Sequence, residues 1–164
     1  MPHVERLSVK PQTPGEYGLP KRAVPGFEVT TRGAAGDYNN YRERELPGDL
    51  DMAILLITRE VLDALRSEGW PVEAGDLGEN ITVAGCPEAS LAPGARLQVG
   101  EVELEISKAC DPCREVYTLP YIGESRGPEF VRTLVGRRGW YARVLRPGPI
   151  AVGAPVQVQS VPVA

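Results

Sequence analysis

Two cysteines separated by two residues, Cys110-Asp-Pro-Cys113, carry the strongest chemical signal in this chain. Paired thiols support disulfide exchange, because one sulfur attacks and the other resolves the mixed disulfide. They also suit a soft metal ion, for which thiolate is the preferred ligand. A third reading takes them as small hydrophobes packed in a core. Residues 75–81, Gly-Asp-Leu-Gly-Glu-Asn-Ile, form a second constellation. Its glycines permit tight turns and a close approach of backbone to ligand, and Glu79 and Asn80 can fix polar groups. Arg137 and Arg138 stand between Gly136 and Gly139, where two guanidinium groups can hold a phosphate or stay solvated.

Two alternatives for the cysteines are weakened by their surroundings. A CxxC with proline in third place is similar to the thioredoxin active site, but that fold needs a long helix opening at the second cysteine. Here Pro120, Gly123, Gly127 and Pro128 are expected to break any such helix. Zinc has only Cys86 and His3 as further ligands, with no second CxxC and no spaced histidine pair.

The elements that must position these residues read as short strands. The 164 residues include 18 glycines and 16 prolines, about a fifth of the chain against a usual 12% or so, and such a chain turns often. A mostly β protein is expected. Residues 101–106 alternate charge and hydrocarbon without a fault, and with Leu97 and Val99 upstream they predict a hairpin leading straight to Cys110. Strands are also predicted at 4–9, 27–31, 52–57 and 141–145 and around Val156 and Val158, with long loops at 10–26 and 36–48. Thr58 reads as the N-cap of a short helix with Val61, Leu62 and Leu65 on its buried face and Gly69 at its stop. A second helix is expected to open at Pro128, with Phe130, Val131 and Leu134 inward, and to end at Gly136.

Bulk properties exclude several classes. The net charge of -4 offers no basic footprint for nucleic acid. The longest apolar run, 52–57, is far too short to span a membrane. The opening residues lack the apolar stretch of a secretory signal, and 3 cysteines are the wrong parity for a disulfide framework. A single cytoplasmic domain over 1–164 is expected, without nucleic-acid or membrane partners.

Taken together, the order AGDLGENITVAG, LAPGARLQVGEVELEIS, the DPC ending at Cys113 and GRRGWYARVLRPGPIAVGAPVQV resembles the MOSC family, named for the C-terminal domain of molybdenum cofactor sulfurases. Arg32-Gly33 with Gly36-Asp37 and the apolar strand from Met52 agree, so the resemblance covers about 21–158. It implies a barrel-like β fold in which Cys113 binds the molybdenum of the cofactor or carries sulfur to it. Related stand-alone members reduce N-hydroxylated compounds, which would make this chain an oxidoreductase of small N-oxygenated substrates with an electron-donor protein as partner. A carrier without turnover and a thiol redox protein using Cys110 and Cys113 are the alternatives.

The molybdenum cofactor is a pterin dithiolene with a phosphate. The resemblance places it on Gly78, Glu79 and Asn80, with Lys21, Arg22, Arg137 and Arg138 as candidate cations for the phosphate. Residues 114–146 hold 7 arginines against 3 glutamates, a local positive region in an acidic protein. Cys110 lies outside the family pattern. The pyridoxal-phosphate sulfurase domain of longer relatives has no counterpart here, and pyridoxal phosphate is not expected.

Overall fold

A computed structural model describes residues 1–38 and 48–159 of the chain. Arg42 and Arg44, in the predicted loop 36–48, lie outside the described residues. The strands are β1 His3–Val9, β2 Arg22–Val24, β3 Gly26–Thr30, β4 Gly33–Ala34, β5 Ile54–Thr58, β6 Ile81–Ala84, β7 Arg96–Val99, β8 Val102–Ala109, β9 Trp140–Arg146, β10 Gly148–Ala151 and β11 Val156–Gln159. Two α-helices join them, α1 Arg59–Ser67 and α2 Gly123–Thr133. Neither is long and apolar enough to cross a membrane.

Eight strands form one sheet in the order β11-β7-β8-β9-β5-β6-β1-β2, and β10-β3-β4 form a second. The mostly β expectation holds, but the barrel does not: neither sheet closes. The N–H of Val4 does donate to Ala154 O (2.9 Å), and an isolated bridge joins His3 to Pro155. Two local facts stop this contact from growing into a ladder. β2 already occupies the edge of β1 from Leu7 to Val9, and Pro155 has no N–H to offer.

The alternation read in 101–106 is the backbone of the site. Val102, Leu104 and Ile106 are wholly buried, and β8 pairs antiparallel with β7 on one side and β9 on the other. A register shift between Ile106 and Lys108 then breaks the alternation. β5 is buried along its whole length because it is interior, with β6 running parallel on one side and β9 antiparallel on the other. The parallel pair requires a crossover, which α1 and residues 68–80 supply. Thr58 caps α1 as expected, its hydroxyl accepting from the Val61 N–H at 3.2 Å.

Two expectations change. The loop predicted at 10–26 contains β2, which pairs back on β1. The second helix opens at Gly123, not Pro128, so that Gly127 and Pro128 lie within it. Proline removes one hydrogen bond, and buried side chains outweigh that loss: Phe130 and Leu134 have no exposed surface. Tyr117 lies where a side chain at 127 would stand, which explains a glycine there. No long helix opens at Cys113; the short 3-10 turn Arg114–Thr118 follows it.

Phe130 joins α2 to the apolar cluster beneath α1, its ring centroid 4.7 Å from that of Trp70. Phe130→Ala is expected to cost about 3–5 kcal/mol, read as a lower urea midpoint.

Candidate functional site

One cavity of about 340 Å³ opens where β8 ends, β9 begins and the 75–80 turn leads into β6. Cys110, Cys113, Gly78, Lys21 and Arg138 all line it, together with Lys108 and Tyr141. The sheet explains this convergence. Because β8 and β9 are antiparallel neighbours with Ala109 opposite Trp140, the residue after one strand meets the residues before the other. The N–H of Cys110 donates to Gly139 O at 2.9 Å.

Gly139 lets the chain pass against β5. Its φ is +96°, and a Cβ would stand 2.5 Å from Leu56 O. Arg138 is thereby turned inward until it is only 6% exposed. Its Nη1 donates to Leu77 O and lies 3.6 Å from the Cys110 sulfur, while Nε has no hydrogen-bond partner among the described residues. Burial pulls the guanidinium's pKa down, but Cys110, Cys113, Tyr141 and Glu79 more than offset this and hold it above its ordinary value.

The two thiols differ. Cys113 is partly exposed at the cavity wall, and its backbone is extended. Cys110 is buried; burial pushes its thiol pKa up, against opposing donors in Arg138 and the Tyr141 hydroxyl. Both are free thiols.

A second cluster braces the cavity from the other side. Asp37 accepts from Lys21 Nζ (2.7 Å), Asn80 Nδ2 (2.8 Å) and the N–H of Lys10 (2.9 Å). Asn80 also accepts from the Leu55 N–H (3.1 Å) and donates to Ser8 O (3.3 Å), so it ties three segments together and has no amide group left over. Neither Asn80 nor Glu79 lines the cavity.

Glu79 is buried with one oxygen accepting from the Gly75 N–H and the other, Oε2, without a partner among the described residues. Burial pushes its pKa from 4.5 to about 7, with Gly75, its own backbone N–H and Arg138 pulling down and Asp76 pushing up.

Arg22 and Arg137 stand apart from this group. Arg22 is exposed and paired with Glu16 at 3.1 Å. Arg137 grips both oxygens of Glu68 and the carbonyl of Thr133. Sequence reasoning had no role for Lys108, Tyr141 or the bracing function of Asp37. The break in alternation at Ser107-Lys108 is the visible trace of the bulge that brings Lys108 to the cavity.

The MOSC domain profile matches residues 43–157. This chain belongs to the MOSC domain family. Among solved structures, the YuaD protein from Bacillus subtilis superimposes with a TM-score of 0.79 at 21% identity, covering 99% of this chain and 98% of that one. YiiM from Geobacillus stearothermophilus gives 0.71 at 24% identity, covering 97% and 75%. YiiM from Escherichia coli gives 0.63 at 22%, covering 97% and 72%. These likenesses establish a shared fold. A comparison with curated proteins finds no match.

In this MOSC protein the loop geometry and the buried acid each yield a test. Gly139→Ala is expected to cost at least 2 kcal/mol or so, from a strained φ plus a backbone clash. Gly136→Ala, at a positive φ with open space around it, costs only about 1 kcal/mol in the same urea titration. Glu79 keeps its proton in the fold after the unfolded chain has released it, so stability falls as pH rises from 4.5 through about 7. That fall is expected to be roughly 3 kcal/mol and to vanish in Glu79→Gln. Urea midpoints of both proteins between those pH values measure it.

Proposed function

We propose that this MOSC protein binds the molybdenum cofactor in the cavity beside Cys113 and reduces small N-hydroxylated compounds with electrons from an external donor protein. The observation that carries the reading is the convergence of one accessible thiol with three cationic side chains, Lys21, Lys108 and Arg138, around a single cavity of about 340 Å³. That volume suits a small ligand. The donor set suits a soft metal on a dithiolene whose other end is an anionic phosphate. Among the described residues no group of three or more His, Cys, Asp or Glu side chains is placed to hold a different metal.

Cys113 is the sulfur that would meet the metal. Arg138 lies buried in the same wall, its Nη1 3.6 Å from the Cys110 sulfur. Lys21 is buried and held to Asp37 at 2.7 Å, so its ammonium keeps a fixed position in the cavity wall. Bound molybdenum supplies two-electron redox chemistry. Breaking the N–O bond of a hydroxylamine to give amine and water consumes those two electrons and two protons. Arg22 and Arg137 do not line the cavity and take no part in this assignment.

A cofactor or sulfur carrier without turnover would use the same cysteine. A dithiol redox protein would need Cys110 equally, and its burial favours the single-cysteine reading.

The protein made under molybdate supply in a host that synthesises the cofactor is expected to retain molybdenum and pterin. Cys113→Ser removes both the metal and N-hydroxy substrate reduction, while Cys110→Ser keeps most of each. Stoichiometric zinc without molybdenum, or equal loss in both variants with intact disulfide exchange in the wild type, would overturn this reading.

A further inference from the structure

Residues 10–18 line a second cavity of about 520 Å³, together with Tyr38, Glu115 and Thr118. It adjoins the first, because Gly18, Tyr38 and Glu115 line both. A Cβ at Gly18 would stand 3.8 Å from Glu115 Oε2, so the Glu115 carboxylate lies against Gly18 at the junction. Cys113, two residues before Glu115, lines the first cavity.

The loop that shapes the second cavity is tied down. The buried Lys10 ammonium bonds Glu16 and lies 3.5 Å from Thr13 Oγ1. Glu16 also holds Arg22 at 3.1 Å, its N–H donates to Thr13 O (3.1 Å), and the Tyr38 N–H donates to Lys10 O (3.1 Å). The cavity is formed before any ligand arrives.

The two cavities differ in charge. Among the described residues Lys21, Lys108 and Arg138 line the first against Asp111 and Glu115, while Lys10 lines the second against Glu16 and Glu115. Asp37 holds Lys21, Asp49 lies 3.5 Å from Lys108, and Lys10 is paired with Glu16. An anion is favoured in the first cavity and disfavoured in the second. The second also suits a ring: Tyr17 and Tyr38 line it as aromatic residues, Pro11 and Pro14 as apolar ones. Tyr17 is 70% exposed and belongs to neither hydrophobic core.

A reductase must bring a second molecule to the sulfur that meets its cofactor, and the first cavity has the volume for one small ligand. We propose that the second cavity is a substrate subsite that receives a flat ring bearing no negative charge, with Glu115 at the junction repelling anions and the ring's reacting substituent directed through the junction toward Cys113. The placing of that substituent rests on the function proposed above. The preference for ring and charge rests on the walls of the cavity itself.

Benzamidine and benzoate have nearly the same shape and opposite charge, and benzamide is their uncharged counterpart. Each is titrated into full-length, cofactor-free protein and followed by backbone amide resonances. Benzamidine and benzamide are expected to shift Thr13, Gly15, Tyr17 and Thr118. Benzoate is expected to bind there at least about tenfold more weakly, and to shift Gly78 and Ala109 instead. In Glu115→Gln the gap between benzamidine and benzoate narrows several-fold. Benzoate binding at 13–17 as tightly as benzamidine, no shift there with any probe, or an unchanged gap in Glu115→Gln overturns the inference. The first two outcomes come from the wild-type protein and do not depend on a variant's folding. Molybdenum enters none of these titrations. A protein that sorts the probes yet retains no molybdenum refutes the function proposed above and leaves the ring site standing, whereas one that retains it without sorting the probes loses the subsite alone.

Discussion

A guanidinium taken out of water must be met by opposite charge and by acceptors, or the fold pays several kcal/mol for it. Burying Arg138 is therefore the demand around which this end of the molecule is organised. Leu77 offers its carbonyl and Cys110 its sulfur, and these two come from a turn and a strand end far apart in sequence. Only a glycine at 139 lets the chain approach Leu56 closely enough to turn the side chain inward. Residues 75–80 in turn depend on Asn80, whose amide is fastened to Leu55, Ser8 and Asp37. A ring of polar groups closes around one cation.

This arrangement also resolves an apparent mismatch between composition and site. The chain is acidic overall, yet its cavity wall carries three cationic side chains and two thiols. Local sequence excess over 114–146 is a poor guide to where those cations go. Arg143 bonds Asp51 and Glu105 on the sheet surface, Arg126 stacks over Trp70, and Arg137 is held by Glu68. Of the arginines in that segment, only Arg138 lines the cavity. Charge density along the chain sets solubility; the backbone's path selects the functional cation.

Much of the fold was legible because its signals are local. The alternation in β8, the Thr58 cap and the apolar run of β5 each follow from side-chain pattern alone. What could not be read depends on distant partners. α2 begins five residues before its proline because Phe130 and the packing of Tyr117 against Gly127 outweigh one lost hydrogen bond. The ladder stays open because β2 fills the edge of β1, a pairing between segments whose loop carries no strand periodicity. The same limit governs the site. Cys113 and the Gly78–Asn80 constellation stand out as motifs, but nothing in residues 136–139 distinguishes a buried Arg138 from its partly exposed neighbour Arg137, which is held by Glu68. The positive φ and tight space at Gly139 do so only once Leu56 is in place.

The walls of the cavity are scattered along the chain: Leu19 and Lys21 from its start, Gly78 from its middle, Cys113 beyond, Arg138 and Tyr141 near its end. Synthesis runs from the N-terminus, and the innermost cation is among the last of these to emerge from the ribosome. β9 stands between β5 and β8 and follows directly on Arg138, so these walls are brought together by one strand's place in the sheet. A group that needs all of these walls at once finds them only in the folded protein.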